Sequence, residues 1–139
     1  MSMSEIVRHL ARFGLASFML VAGFGHFNNT HSFRAQVPPF LPNPDLVIYI
    51  SGVIEIAFGL SLVFSRKYRT QIGWLLAAFF VVIFPGNIAQ FVTQTSAFGL
   101  ETDQARAVRL LFQPVLVAWA LWCTGAYQKW RTSRLQGAE

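Results

Sequence analysis

Six polar side chains that could bind a ligand or relay protons stand within or beside long apolar runs of the sequence. Glu55 is the only charged residue in the run from Leu46 to Phe64. Arg109 and Gln113 are spaced i and i+4, so on a helix they share one face. The full set of candidates is His26, Glu55, Asn87, Gln90, Arg109 and Gln113. Carboxyl, imidazole, guanidinium and amide groups can hydrogen-bond the carbonyl or hydroxyl groups of a ligand.

Each candidate also has a purely structural interpretation. Asn, Gln and His side chains hydrogen-bond across membrane helices and hold them together. A carboxyl such as Glu55 can do the same beside Gln113, Asn87 or His26. Arg109 could equally be an interfacial anchor, with Glu101, Asp103 or Glu55 as its partner. The sequence leaves the structural and the ligand-binding interpretations open for all six residues.

Metal binding and thiol chemistry are disfavoured by the number and spacing of their usual ligands. The single cysteine, Cys123, cannot form a disulfide within the chain and is expected to pack as a small hydrophobe. His26, His31 and Glu55 could offer metal ligands, but no tight His or Cys spacing recurs. His9 is expected at the opposite membrane face from His26, which disfavours a bis-histidine haem. We therefore predict no metal site.

The composition indicates that most of the surface of this chain does not face water. Of its 139 residues, 54% are hydrophobic and only 12% are charged, against roughly 25% charged residues in a typical soluble domain. The net charge of +5 lies in short clusters between apolar runs. This pattern favours anchoring in a lipid bilayer over binding of nucleic acid.

Four apolar runs are long enough to cross a membrane, which takes about 20 helical residues. The predicted helices cover about residues 6–27, 46–64, 72–92 and 108–127. The first run lacks an Ala-x-Ala-like cleavage site, so we expect it to remain as a membrane helix rather than a cleaved signal peptide. At its start, Arg8 and Arg12 are expected to snorkel toward the lipid headgroups. The predicted fold is a single all-α integral membrane domain, a four-transmembrane-helix bundle.

The distribution of basic residues predicts the orientation of this bundle. Of the 11 Lys and Arg residues, only Arg34, Arg106 and Arg109 fall on the side opposite the two termini. Because basic residues concentrate on the inner side, both termini are predicted to be cytoplasmic. The expected location is a bacterial cytoplasmic membrane. The alternating helix directions then bring all six candidates into the outer half of the bundle. Glu55 lies about 13 Å along its helix, near the bilayer centre.

Three backbone features are expected to shape the outer half. Pro85 lacks an N–H and clashes with the carbonyl of Val81, so the third helix should kink there. Four prolines should stiffen the loop over residues 28–45, which either caps the bundle, lies on the membrane or is a plain connector. Gly52 and Gly59, one heptad apart, should let helices approach closely.

Four short segments resemble the DoxX-like membrane proteins in order and spacing, over nearly the whole chain. They are Gly25-His26-Phe27, Val37-Pro38-Pro39-Phe40-Leu41-Pro42, Tyr49-Ile50-Ser51-Gly52-Val53-Ile54-Glu55 and Phe84-Pro85-Gly86-Asn87. The resemblance implies a four-helix membrane fold, in agreement with the topology above. It also marks His26, Glu55 and Asn87 as positions that match the polar signature of that family.

Two functions are left open. The resemblance implies an accessory or assembly subunit of a membrane-associated, quinone-linked redox system, with a redox enzyme or another protein as partner. The polar residues themselves favour the alternative, a pocket in the outer half that binds a quinone, a lipid or another apolar molecule. A homo-oligomer is compatible with either function. No self-sufficient catalytic constellation is visible, so enzymatic activity is left open, and the lack of an inverted repeat disfavours a transporter.

Overall fold

Helices make up most of the chain in the computed structural model, which describes residues 1–92 and 102–138. In chain order they are α1 (Met3–Asn28), α2 (Thr30–Phe33), α3 (Pro44–Phe64), α4 (Arg69–Val82), α5 (Phe84–Val92), α6 (Asp103–Cys123) and α7 (Ala126–Gln136). A single 3-10 turn over Arg34–Gln36 follows α2. The described ranges contain no β-strand, which confirms the predicted all-α fold.

Four spans within the described residues are long and apolar enough to cross a membrane: α1, α3, α4 with α5, and α6. Only 28% to 33% of the most apolar window in each span is buried inside the protein. The remaining apolar side chains point outward, where water would be a poor solvent for them. The four predicted spans are therefore confirmed by length and composition.

The spans begin earlier than their apolar runs because polar residues cap them. At the start of α1, Ser2 and Glu5 form a capping box, in which each residue's side chain accepts a hydrogen bond from the other's backbone N–H. At the start of α6, the Thr102 side chain accepts from the backbone N–H of Ala105. Hydropathy registers only the apolar part of a helix, so it placed these two starts at residues 6 and 108 rather than at Met3 and Asp103.

The third span is broken at Ile83, as Pro85 predicted. The Ile83 N–H still donates to the carbonyl of Phe79, at 3.0 Å, and α5 then begins at Phe84. Just beyond the break, Gly86 lies directly against the backbone of Gln36, and a Cβ at this position would overlap the Gln36 carbonyl oxygen. The break and the glycine together let the loop before α3 reach into the bundle.

The fourth span ends earlier than predicted, at Cys123 rather than near residue 127. Gly125 follows with a φ of +78°, in the left-handed region where glycine ends helices readily. A separate, largely exposed helix, α7, then runs to Gln136. Because α7 is polar, the apolar pattern that revealed the other helices gave no sign of it.

Close packing of α1 on α3 depends on glycines, as predicted. A methyl group at Gly52 would come within 2.8 Å of the Cβ of His26, and one at Gly59 within 2.7 Å of Leu20. Gly23 on the facing helix is equally close to the backbone of α3. The hydrophobic core is formed by buried apolar side chains of all four spans, namely Leu15, Met19, Leu62, Leu76, Phe80 and Leu116.

Arg12 does not extend along the outer surface of the bundle, as the predicted snorkelling implies. Its side chain turns into the bundle, where the residue is only 4% exposed. One guanidinium nitrogen donates to the carbonyl of Leu62, in the last turn of α3. The last carbonyls of a helix have no intrahelical partner, so a buried arginine can satisfy one of them and favour the negative end of the helix dipole.

Candidate functional site

A cavity of about 420 Å³ lies where α1, α3, the broken third span and α6 meet. Its volume falls within the usual range for small-molecule sites. Four of the six predicted site residues line it, one from each span: His26, Glu55, Asn87 and Arg109. The alternation of helix direction therefore brings together polar groups that are far apart in sequence, as predicted.

The proline-rich loop caps this cavity. Phe33, Gln36 and Phe40 are among the loop residues that line it, and the Phe33 ring stacks on the His26 ring with centroids 3.8 Å apart. Two hydrogen bonds of 2.7 and 2.9 Å join the Arg34 guanidinium to the Asp45 carboxylate and tie the loop to the start of α3. This carboxylate raises the pKa of the Arg34 guanidinium. Of the alternatives for the loop, the structure supports the cap.

Glu55 and His26 are in contact on the polar wall. Glu55 is 7% exposed, and its Oε2 lies 3.4 Å from the Nδ1 of His26. The same Nδ1 lies 2.8 Å from the carbonyl oxygen of Ala22. A carbonyl oxygen can only accept, so Nδ1 carries the proton and donates to Ala22, which in a neutral ring leaves Nε2 as an acceptor.

The carboxyl of Glu55 is incompletely satisfied by the protein. Its Oε2 is buried and has no hydrogen-bond partner among the described residues. A buried polar atom without a partner costs about 1–3 kcal/mol, so such atoms are rare in proteins and often mark functional positions. Because Glu55 lines the cavity, a hydroxyl or N–H group of a bound molecule could supply the missing hydrogen bond.

Gln113 supports this wall from behind. Its Nε2 donates to the carbonyl of Phe80 at 2.6 Å. Its Oε1 accepts from Asn87 Nδ2 and from Arg109 Nη1, both at 3.2 Å. Gln113 is 1% exposed and does not itself line the cavity. It fixes the positions of two residues that do.

Gln90 ties the cap to the bundle instead of facing the cavity. It is 1% exposed, and its Oε1 accepts from the Nε2 of Gln36 at 3.2 Å. Gln36 was not among the predicted residues, although an amide directly before the apolar, proline-rich stretch 37–42 was a usable signal. The six predicted residues thus divide into four that line the cavity, one that holds two of those four, and one that holds the cap.

Of the three partners considered for Arg109, none that the structure describes forms an ion pair with it. Glu101 lies outside the described residues. Asp103 accepts from Arg106 Nη2, at 2.8 Å. Arg109 instead reaches the cavity and Gln113, and within the described residues it makes no ion pair with Glu55 closer than 4.0 Å. No group of three His, Cys, Asp or Glu residues that could hold a metal ion occurs in the described part of the chain.

The fold and the site define a small all-helical protein with four spans long and apolar enough to cross a membrane and a capped polar cavity at one end of its bundle. Residues 15–124 match a family described as a domain of unknown function, DUF8561, and the chain belongs to that family. The matched region contains all six candidate residues and the cap. Comparisons with curated proteins and with solved structures gave no match.

Proposed function

We propose that this protein is an integral membrane protein that binds an amphiphilic small molecule, of the quinone or lipid class, in the capped cavity. One observation carries the proposal: a buried carboxyl oxygen of Glu55 without a partner, on the wall of a ligand-sized cavity. The bundle supplies the rest of the site, since its outward-facing apolar surface places the cavity within reach of lipid-soluble molecules.

The lining favours a ligand with a polar head and an apolar body. Apolar side chains from α3 and the third span, including Ile48, Ile54 and Phe79, form much of the wall. The polar wall offers both kinds of hydrogen-bonding group, since the arginine can only donate and a carboxylate can only accept. A quinone carbonyl would accept from Arg109, and the hydroxyl of a quinol or of a lipid headgroup would donate to Glu55.

Replacement of Glu55 tests this proposal directly. Glu55→Gln keeps the shape of the side chain but removes one acceptor oxygen, so we expect a short-chain benzoquinol to bind about tenfold more weakly. Affinity would be measured by titration of the detergent-solubilised protein. Native mass spectrometry of protein extracted from its own membranes would show whether a molecule of defined mass is retained by the wild type and lost by the variant.

The matched control is Asp103→Asn, which neutralises an exposed carboxylate away from the cavity. It should leave quinol affinity unchanged. If Glu55→Gln folds normally and binds as tightly as the wild type, the carboxyl does not contact the ligand and the proposal fails.

The orientation belongs to the same proposal. Arg12, Arg66 and Arg69 gather around one end of the bundle, opposite the capped cavity. The positive-inside rule places that end, with both termini, in the cytoplasm and the capped cavity toward the outer face of a bacterial cytoplasmic membrane.

A second proposal is an accessory or assembly role in a membrane-associated, quinone-linked redox system. The DoxX-like resemblance supports it, and so does the cap, which presents Phe40 with 77% of its surface exposed. Crosslinking in native membranes through a photoreactive residue at position 40 tests it. A redox enzyme recovered in fixed ratio is the expected result, and crosslinks to lipid or to a second copy alone would contradict it.

A further inference from the structure

A second cavity, of about 570 Å³, lies at the other end of the bundle, between the start of α1 and the turn that joins α3 to α4. Its basic lining residues are His9, Arg12, Arg66 and Arg69, and none of its lining residues is acidic. Glu5 lies nearby in sequence, but its carboxylate accepts from the backbone N–H of Ser2 at 2.7 Å in the α1 cap. The cavity therefore concentrates positive charge without a lining counter-ion.

Arg12 is built into the floor of this cavity. Arg12 is 4% exposed, and one of its guanidinium nitrogens donates a hydrogen bond to the Leu62 carbonyl. Its Nη2 lies 3.2 Å from His9 Nδ1, and because arginine can only donate, that imidazole nitrogen accepts. The Nε of Arg12 is buried and has no partner among the described residues, and the Nε of Arg69 is in the same situation.

These unsatisfied groups fit a phosphate. An arginine guanidinium presents its N–H groups in a planar fork that matches phosphate oxygens, and such charge-assisted hydrogen bonds are about twice as strong as neutral ones. An anion would also relieve the repulsion among three clustered arginines. Neither the apolar bundle core nor the Glu5 cap offers a comparable partner.

The rest of the cavity is apolar and continues along the outside of α1. Ile6, Leu10 and Phe13 follow the i, i+4, i+7 spacing of one helix face, and all three line the cavity. They are also exposed, by 39%, 66% and 45% respectively. A hydrocarbon chain that extended from the basic cavity along this face would run toward the membrane interior.

We propose that the basic cavity binds the phosphate of an anionic phospholipid, with one acyl chain lying along Ile6, Leu10 and Phe13. The site is independent of the capped cavity, since the two share no lining residue. A free phosphate ion offers the same oxygens to the arginines but has nothing to place on the apolar face. Basic pockets near the cytoplasmic ends of membrane helices are a recurrent way to hold such headgroups.

The test compares two double variants of the full-length protein in neutral detergent. Arg66→Gln with Arg69→Gln removes two cavity charges, whereas Lys129→Gln with Arg131→Gln removes two exposed charges of α7 that do not line the cavity. Phosphatidylglycerol, phosphatidylcholine and inorganic phosphate are titrated separately. Bound lipid is counted by native mass spectrometry, and protection is read from the thermal unfolding midpoint.

We expect the first double variant to bind phosphatidylglycerol about 30-fold more weakly than the wild type, and the second to bind it nearly as tightly. A response to phosphatidylglycerol without one to inorganic phosphate identifies the lipid as the source. A response to inorganic phosphate that matches the lipid response assigns the cavity to the free ion and overturns the acyl-chain part. Equal losses in the two variants, or equal responses to phosphatidylcholine and phosphatidylglycerol, overturn the site.

Arg12→Lys provides a second measurement that does not depend on net charge. Lysine keeps the positive charge but lacks the planar set of N–H donors of a guanidinium. Weaker binding of phosphatidylglycerol by a folded variant therefore supports a built phosphate site. Unchanged binding would show that a diffuse positive field is sufficient.

Discussion

At the scale of single residues, Gln113 connects more of the site than any residue that lines it. It satisfies the carbonyl of Phe80 close to the break in the third span, and it holds Asn87 and Arg109. We expect Gln113→Leu to lower the free energy of unfolding by about 1–2 kcal/mol, the upper part of the range for interhelical hydrogen bonds in membranes. Unfolding in mixed micelles of increasing sodium dodecyl sulfate fraction would measure this change.

The control for this prediction is Gln104→Leu, which changes the same residue type at an exposed position near the start of α6. It should alter stability by less than about 0.5 kcal/mol. Equal stability of the two variants would show that the Gln113 hydrogen bonds are replaced on unfolding by equivalent ones within the micelle.

The polar residues of the site could be predicted from the sequence, but not which of them line the cavity and which support it. Polar groups in apolar runs stand out because burying them is costly, so Glu55, Asn87 and Gln113 were recognisable. Which of them faces the cavity depends on the rotation of each helix about its own axis, and that is set by packing against the other helices. For the same reason, the burial of Arg12 against the Leu62 carbonyl could not be foreseen, since position alone placed this residue near the membrane surface.

At the scale of elements, the contact between α5 and the cap requires glycine at position 86. A methyl group there would overlap the carbonyl oxygen of Gln36, and backbone yields less readily than a side chain. We expect Gly86→Ala to lower the free energy of unfolding by about 1–3 kcal/mol. It should also speed amide hydrogen exchange over residues 33–41, as measured by mass spectrometry.

Gly25→Ala is the matched control. Its added methyl would meet only the ring of Phe33, at 3.6 Å, which is ordinary contact. Alanine favours a helix over glycine by roughly 0.5–1 kcal/mol, so this variant should be as stable as the wild type or more so. If Gly86→Ala behaves like Gly25→Ala, the cap is not held by close backbone packing.

The helices show where hydropathy is a sufficient guide and where it is not. The four spans were predictable because length and apolar content are what a bilayer selects, and the break at Ile83 followed from Pro85. By contrast, α7 carries no apolar run, and its start depends on Gly125 adopting a positive φ. The folding of the loop into a cap was equally hidden, since it rests on the Gln36 contacts with Gln90 and Gly86.

At the scale of the whole molecule, the bundle is chemically asymmetric along its length. On α1, the basic cavity is lined by residues as far as Phe13 and the capped cavity by His26, about 20 Å further along the helix. The first is lined by arginines, whereas the second combines a carboxyl, an imidazole and an amide with one arginine. This asymmetry is the structural counterpart of the charge distribution that predicted the orientation.

The orientation itself can be tested with single cysteines. After Cys123→Ala, which removes the native thiol, Pro42→Cys places a thiol in the exposed cap, while Ser4→Cys and Gln136→Cys place one near each terminus. In intact bacterial spheroplasts, a membrane-impermeant maleimide should modify only the cap, because the positive-inside rule puts both termini in the cytoplasm. After lysis it should modify all three.

Labelling of both terminal cysteines in intact spheroplasts, with the cap protected, would invert the proposed orientation. The basic cavity would then face the outside and the capped cavity the cytoplasm, although neither site would lose a contact. Labelling of one terminus but not the other would instead require an odd number of crossings. Such a result would contradict the use of all four apolar spans as transmembrane helices and leave one of them lying along the membrane surface.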